Sequence, residues 1–193
     1  MGVGPFEFVK RNKEIILLFL VAVASTLALL FSEISDGGAD AFVHFGMAQG
    51  VWKHPELLLD LWGKPLFTFF SSPFALGGMK MHQFFNVIIG TFTAFVSWKT
   101  AEKMGLKNAW LIIPLLCFFP VWFPLSFSSM TEPLFACLLI VAVYFYVSEK
   151  EILSATVVSF LPFARQEGFA FILLFLVPFI FRKKSRRIPF LLC

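Results

Sequence analysis

Charge is scarce in this sequence. Asp, Glu, Lys and Arg together make up 15% of its 193 residues, whereas an ordinary soluble domain carries about 25%. Such scarcity excludes solvated disordered tails, which need high charge and little apolar content, and it does not suit a common soluble enzyme. Cysteine is equally sparse. Cys117 and Cys137 lie within apolar runs and Cys193 is the last residue, so neither a disulfide framework nor a zinc spacing is visible. Internal repeats and low-complexity tracts are absent as well. What the chain has instead is apolar bulk: 59% of its residues are hydrophobic and 28 are Phe. This composition points to an all-α, polytopic transmembrane helical bundle. The net charge of +4 does not argue for nucleic acid, because membrane proteins concentrate Lys and Arg on the cytoplasmic side.

The charges divide residues 1–193, read as a single transmembrane domain, into successive spans. Ile15 to Phe31 is an uncharged run behind Lys10, Arg11 and Lys13. As a helix it rises about 26 Å, enough for most of a hydrocarbon core of roughly 30 Å. Ala22-Val23-Ala24 offers a signal-peptidase tripeptide, but the run stays apolar to Phe31, which favours an uncleaved first span. Residues 33–80 form a long first outer loop. Its Leu and Phe clusters are too apolar for free solution and predict short helices lying in the bilayer interface. Met81 to Trp98 is the second span, and a third begins at Asn108 and ends near Pro114, Pro120 and Pro124. Pro133 to Ser148 is the fourth. Ile152 to Ala164 and Gly168 to Phe181 are short, each reaching only about 20 Å, and read as a hairpin around Arg165-Gln166-Glu167.

With a cytoplasmic N-terminus, 12 of the 16 Lys and Arg fall inside, leaving Lys53, Lys64, Lys80 and Arg165 outside. Seven of the twelve acids fall outside. The basic asymmetry is the one the positive-inside rule predicts. The chain is therefore expected to be a multi-pass protein of a plasma membrane or an endoplasmic-reticulum-like membrane, and to be the N-terminal portion of a longer one.

Several residues on the outer side have chemistry to offer. Asp40 stands where a short helix is predicted to begin. There it reads either as a helix cap or as a general base whose proton affinity is set by partial burial at the membrane surface. His44, four residues on, shares that helical face. Asp36 follows the first span, ahead of Gly37-Gly38, as a turn residue. Lys64, in Trp62-Gly63-Lys64-Pro65, either snorkels to the headgroups or neutralises a phosphate. Glu132 opens the fourth span behind Thr131, ordinary first-turn chemistry. Arg165 and Glu167 are the strongest physical signal, since each charge at mid-membrane costs roughly 2.5–3.5 kcal/mol. They read as a structural ion pair, or as a guanidinium available to grip an anionic headgroup.

In these segments the chain resembles the membrane glycosyltransferases of the C-type superfamily (GT-C), which use polyprenyl-phosphate sugars and include protein and glycolipid mannosyltransferases. The resemblance rests on Ala39-Asp40-Ala41-Phe42-Val43-His44, Trp62-Gly63-Lys64-Pro65-Leu66, Thr131-Glu132-Pro133-Leu134 and Arg165-Gln166-Glu167-Gly168, in that order and on one side. It covers most of residues 10–181. Many members carry two adjacent acids where this chain has Ala39-Asp40, which leaves Asp36 and Asp40 as alternatives for the base. The resemblance implies that Asp40 is the catalytic base, removing a proton from an acceptor hydroxyl during inverting transfer of a mannose-like hexose. It implies a polyprenyl-phosphate sugar donor, a glycolipid or protein acceptor, and no nucleic acid. His44, Lys64, Glu132, Arg165 and Glu167 would then bind substrate. Some relatives need a divalent metal; no full ligand set is evident here. Asp40 and Arg165 are expected to line one outward-open pocket. The alternative class is a non-enzymatic multi-span protein, a transporter or assembly subunit, in which Arg165 and Glu167 form a structural pair.

Overall fold

The computed structural model describes residues 5–32, 38–60 and 62–181, and side-chain environments within 12–177. Asp36 and the basic cluster at 182–187 lie outside the described residues, so nothing structural bears on them. Among the described residues all regular structure is helical. The helices are α1 (Pro5–Phe31), α2 (Gly38–Gly50), α3 (Pro65–Ala75), α4 (Met79–Lys103), α5 (Ile112–Cys117), α6 (Trp122–Leu125), α7 (Glu132–Val147), α8 (Glu151–Ala164) and α9 (Gly168–Phe181). Single 3-10 turns occupy Pro55–Leu59 and Ala109–Leu111.

α4 is the hub, packed against α1, α3, α5 and α7. It runs antiparallel to α1. At one end Lys80 donates to the carbonyls of Leu29 (2.6 Å) and Ser32, satisfying the terminal acceptors that every helix leaves open. At the other end Lys13 lies 4.9 Å from the centroid of Trp110, just beyond the end of α4. α7 runs parallel to α4: Asn86 donates to the carbonyls of Ser128 (2.9 Å) and Met130 (2.7 Å), and further along Thr93 meets Cys137. α8 returns antiparallel, with the Ser154 hydroxyl donating to Ala142 O at 2.8 Å. α9 turns back beside α7, where Phe171 meets Phe135 and Phe175 meets Tyr146.

The third predicted span is not a continuous helix. After the Ala109–Leu111 turn the chain makes the six-residue α5, breaks, and resumes as the four-residue α6. Pro114 is tolerated because it sits in the first turn of α5, where its missing N–H is not needed. Pro120 falls where α5 would have to continue, and its ring and lost donor end the helix. After α1, α2 begins two residues before Asp40, at Gly38 (φ +54°). Asp40 is thus a first-turn acid facing the positive helix end rather than the cap.

Around an apolar core, parts of α3 and α4 carry an inverted polarity. α3 buries Thr68, Ser71 and Ser72 while exposing Phe69, Phe70 and Leu76. α4 buries His82, Gln83, Asn86, Thr93 and Thr100 while exposing Ile88, Phe92 and Phe95. An apolar groove of about 360 Å³, lined by Ala22, Thr26, Phe84, Val87 and Phe95 among others, separates α1 from the face of α4 opposite His82 and Asn86. Of the described helices, one stretch, Asn12–Phe31, is long and apolar enough to cross a membrane. α7, α8 and the described part of α9 are apolar but shorter.

Candidate functional site

Two tight turns bring charge to one end of the bundle. The first presents Lys64. The Asp60 carboxylate accepts the backbone N–H of Trp62 (2.7 Å) and of Gly63 (3.3 Å), a side-chain turn of the kind Asp favours. The turn is closely packed: a Cβ at Gly63 would lie 2.7 Å from Met47 Sδ and 3.1 Å from Thr68 Oγ1, so the Met47 side chain would have to shift. Thr68 closes the turn by donating to Gly63 O at 2.6 Å. Lys64 itself adopts φ 56°, ψ 98°, a left-handed conformation that costs a non-glycine residue on the order of 1–3 kcal/mol. Pro65 then starts α3 with its ring already at helical φ.

The second turn joins α8 to α9. Gly168 donates its N–H to Arg165 O at 2.9 Å and lies directly on the end of α8: a Cβ there would sit 2.3 Å from Leu161 C and 2.4 Å from Pro162 N. Arg165 leaves α8 in extended conformation and turns its side chain to the start of α7. Its Nη2 and Nε donate to the two carboxylate oxygens of Glu167 (2.8 and 3.3 Å), and Nη1 donates to Thr131 Oγ1 (3.2 Å). The same Nη1 pairs with Glu132 Oε1. Side-chain exposures of 24% for Arg165, 32% for Glu132 and 50% for Glu167 grade this triad from partly buried to open. The hydrogen bond to Glu167 pushes the Arg165 pKa above its ordinary value, and the reciprocal bond holds the Glu167 carboxyl below the usual carboxylate range.

His44 sits where the two turns meet. It lies on the inner face of α2 with Ala41 and Ala48, 5% exposed, its ring edge-on to Phe67 of α3 at 5.7 Å. Burial lowers its pKa, so the ring is neutral at pH 7; the charges within reach of it are those of Asp40, Glu132, Lys64 and Arg165. Lys64 also acts on Glu167. All six candidate residues named from the sequence therefore belong to one electrostatic cluster. Asp40 is on its exposed margin. The pocket expected between Asp40 and Arg165 is not among the best-formed concavities, which line α1 and α4. Two atoms in the cluster are closed to solvent and lack a hydrogen-bond partner: His44 Nδ1 and Glu132 Oε2.

Behind the cluster stands a polar layer that the sequence reading passed over. His82 is fully buried and bonded at both ring nitrogens, to Ser129 Oγ (2.9 Å) and Ser71 Oγ (3.0 Å), while Phe67 packs edge-on against it at 5.5 Å. With Asn86 it fastens α3 and residues 126–131 to α4, and so places both Lys64 and Glu132. The available signal was His82 and Asn86, four apart and therefore on one face of an apolar run. Among the described residues no group of three or more His, Cys, Asp or Glu side chains is placed to hold a metal ion. The chain matches no family model, no curated protein and no solved structure with which it was compared.

Proposed function

We propose that this chain is a polytopic membrane glycosyltransferase acting on a polyprenyl-phosphate hexose at the outer face of its membrane. The observation that carries the reading is the gathering of Asp40, His44, Lys64, Glu132, Arg165 and Glu167 at one end of a helical bundle whose α3 and α4 bury polar side chains and expose apolar ones. Burying Ser, Thr, His and Asn while turning Phe, Ile and Leu outward is costly in water and natural in lipid, where polar groups bond between helices. The antiparallel pairs α1–α4 and α7–α8 suit repeated crossings, with residues 109–125 making the return between the parallel α4 and α7, and the charged end is then the exoplasmic one by the distribution of Lys and Arg.

In this reading Asp40, exposed and at the margin, takes the proton of the acceptor hydroxyl as its oxygen attacks the anomeric carbon. The new glycosidic C–O bond forms as the bond to the carrier's phosphate oxygen breaks, inverting the carbon and releasing polyprenyl phosphate. Lys64 and Arg165 offset the charge on that phosphate, and Glu132 and Glu167 orient Arg165. Labelled-sugar transfer from polyprenyl-phosphate hexose in membranes containing the full-length protein tests the proposal. Loss of transfer in Asp40→Asn, at normal protein abundance, supports it; undiminished transfer removes Asp40 from the mechanism. A second reading, a non-enzymatic membrane subunit, draws on the saturation of Arg165 by two carboxylates and Thr131. It expects no sugar transfer at all, and loss of protein abundance in Arg165→Ala.

A further inference from the structure

His44 Nδ1 and Glu132 Oε2 are the two polar atoms of the charged cluster that are shut from solvent and unpaired. Leaving such groups unsatisfied is disfavoured, and each one in a native structure calls for a partner supplied from elsewhere. Glu132 Oε2 belongs to a carboxylate whose other oxygen is already committed to Arg165, so it can only accept. His44 is neutral, and its Nδ1 either donates or accepts according to tautomer. A phosphate oxygen does not suit this pair, because the carboxylate would repel it. A neutral hydroxyl meets either tautomer: it donates to Glu132 Oε2, and it donates to or accepts from His44 Nδ1.

We propose that His44 Nδ1 and Glu132 Oε2 form the sugar-recognition subsite, each bonded to a hydroxyl of the transferred hexose, while the phosphate is kept on the Lys64 side. This rests on the glycosyltransferase reading and adds to it the division of the cluster into a hydroxyl half and an anion half. His44 is placed by its helix and by Phe67, and Glu132 by Arg165; both are therefore preset before substrate arrives.

The test pairs monodeoxy donors with variants. Polyprenyl-phosphate hexose and its monodeoxy analogues are assayed as donors for wild type, His44→Phe and Glu132→Gln in membranes containing the full-length protein. His44→Phe keeps an aromatic ring against Phe67 and removes the nitrogen. One deoxy position should lower wild-type kcat/KM by about tenfold or more yet cost His44→Phe little beyond the loss the variant itself causes. His44→Asn, which retains a polar group near the Nδ1 position, should restore part of the discrimination. Glu132→Gln should show the same non-additivity at a hydroxyl. Transfer by wild type with every deoxy penalty unchanged in the variants overturns the hydroxyl assignment and leaves the glycosyltransferase reading standing. Absence of transfer from any donor overturns both. If His44→Phe fails to accumulate, the comparison of wild type with His44→Asn and Glu132→Gln decides the question.

Discussion

Asn86 offers the sharpest test of how the site is held. Its amide donates to the carbonyls of Ser128 and Met130 at 2.9 and 2.7 Å, while its Oδ1 is buried without a hydrogen-bond partner. Asn86→Leu keeps the branching at Cγ with a somewhat larger side chain and removes both donors. Side-chain hydrogen bonds inside membrane bundles contribute on average about 0.6 kcal/mol and at most about 1.7 kcal/mol. Two of them in one fully buried place give an expected loss of about 1–3 kcal/mol. The matched control is Thr91→Val, which deletes a 2.8 Å bond to Val87 O of the same helix and fastens nothing to a neighbour; it should cost well under 1 kcal/mol. Reversible unfolding in mixed micelles, followed by far-ultraviolet circular dichroism, measures both. Equal stability of Asn86→Leu and Thr91→Val would refute the claim that α4 holds residues 126–131 by this amide.

Two further outcomes follow from the same geometry. Gly168→Ala should destabilise the protein by about 3 kcal/mol or more, because the added methyl meets backbone atoms of Leu161 and Pro162 at 2.3–2.6 Å; thermal unfolding in detergent reads this, and a Tm within a degree or two of wild type would contradict it. His44 imposes a pH dependence with a definite sign. Burial depresses its folded pKa below the ordinary imidazole value of 6.5, so the unfolded chain binds the proton more readily, and the stability due to neutral His44 is complete above pH 6.5 and falls as pH drops below it. The difference in Tm between wild type and His44→Asn should therefore shrink or reverse from pH 7.5 to pH 5, and a constant difference would count against the buried, neutral imidazole.

The helices were largely legible because their apolar lengths, prolines and charge breaks are local features. The chain is all-helical among the described residues, with a first helix long and apolar enough to cross a membrane, two short α-helices between α1 and α4, and the Arg165–Glu167 pair at a turn. The start of α2 and the fate of residues 109–125 were not, since a glycine at positive φ and a proline at a particular phase of a helix act only once their neighbours are placed. Least legible was the layer formed by Ser71, His82, Asn86 and Ser129. Its bonds join residues 11 to 47 positions apart, and no periodicity in one helix reveals which serine a distant histidine will find. For the same reason Arg165 was paired with its neighbour Glu167, while Thr131 and Glu132, more than thirty residues earlier, complete its shell.

The inverted polarity of α3 and α4 has a calorimetric consequence. Heat-capacity increments on unfolding come from greasy surface meeting water. In a bilayer the outward Phe and Leu side chains touch hydrocarbon before and after helices separate, so that source is nearly silent. Helix separation within lipid should then show a nearly straight dependence of free energy on temperature, with cooling bringing no cold-side loss of the fold.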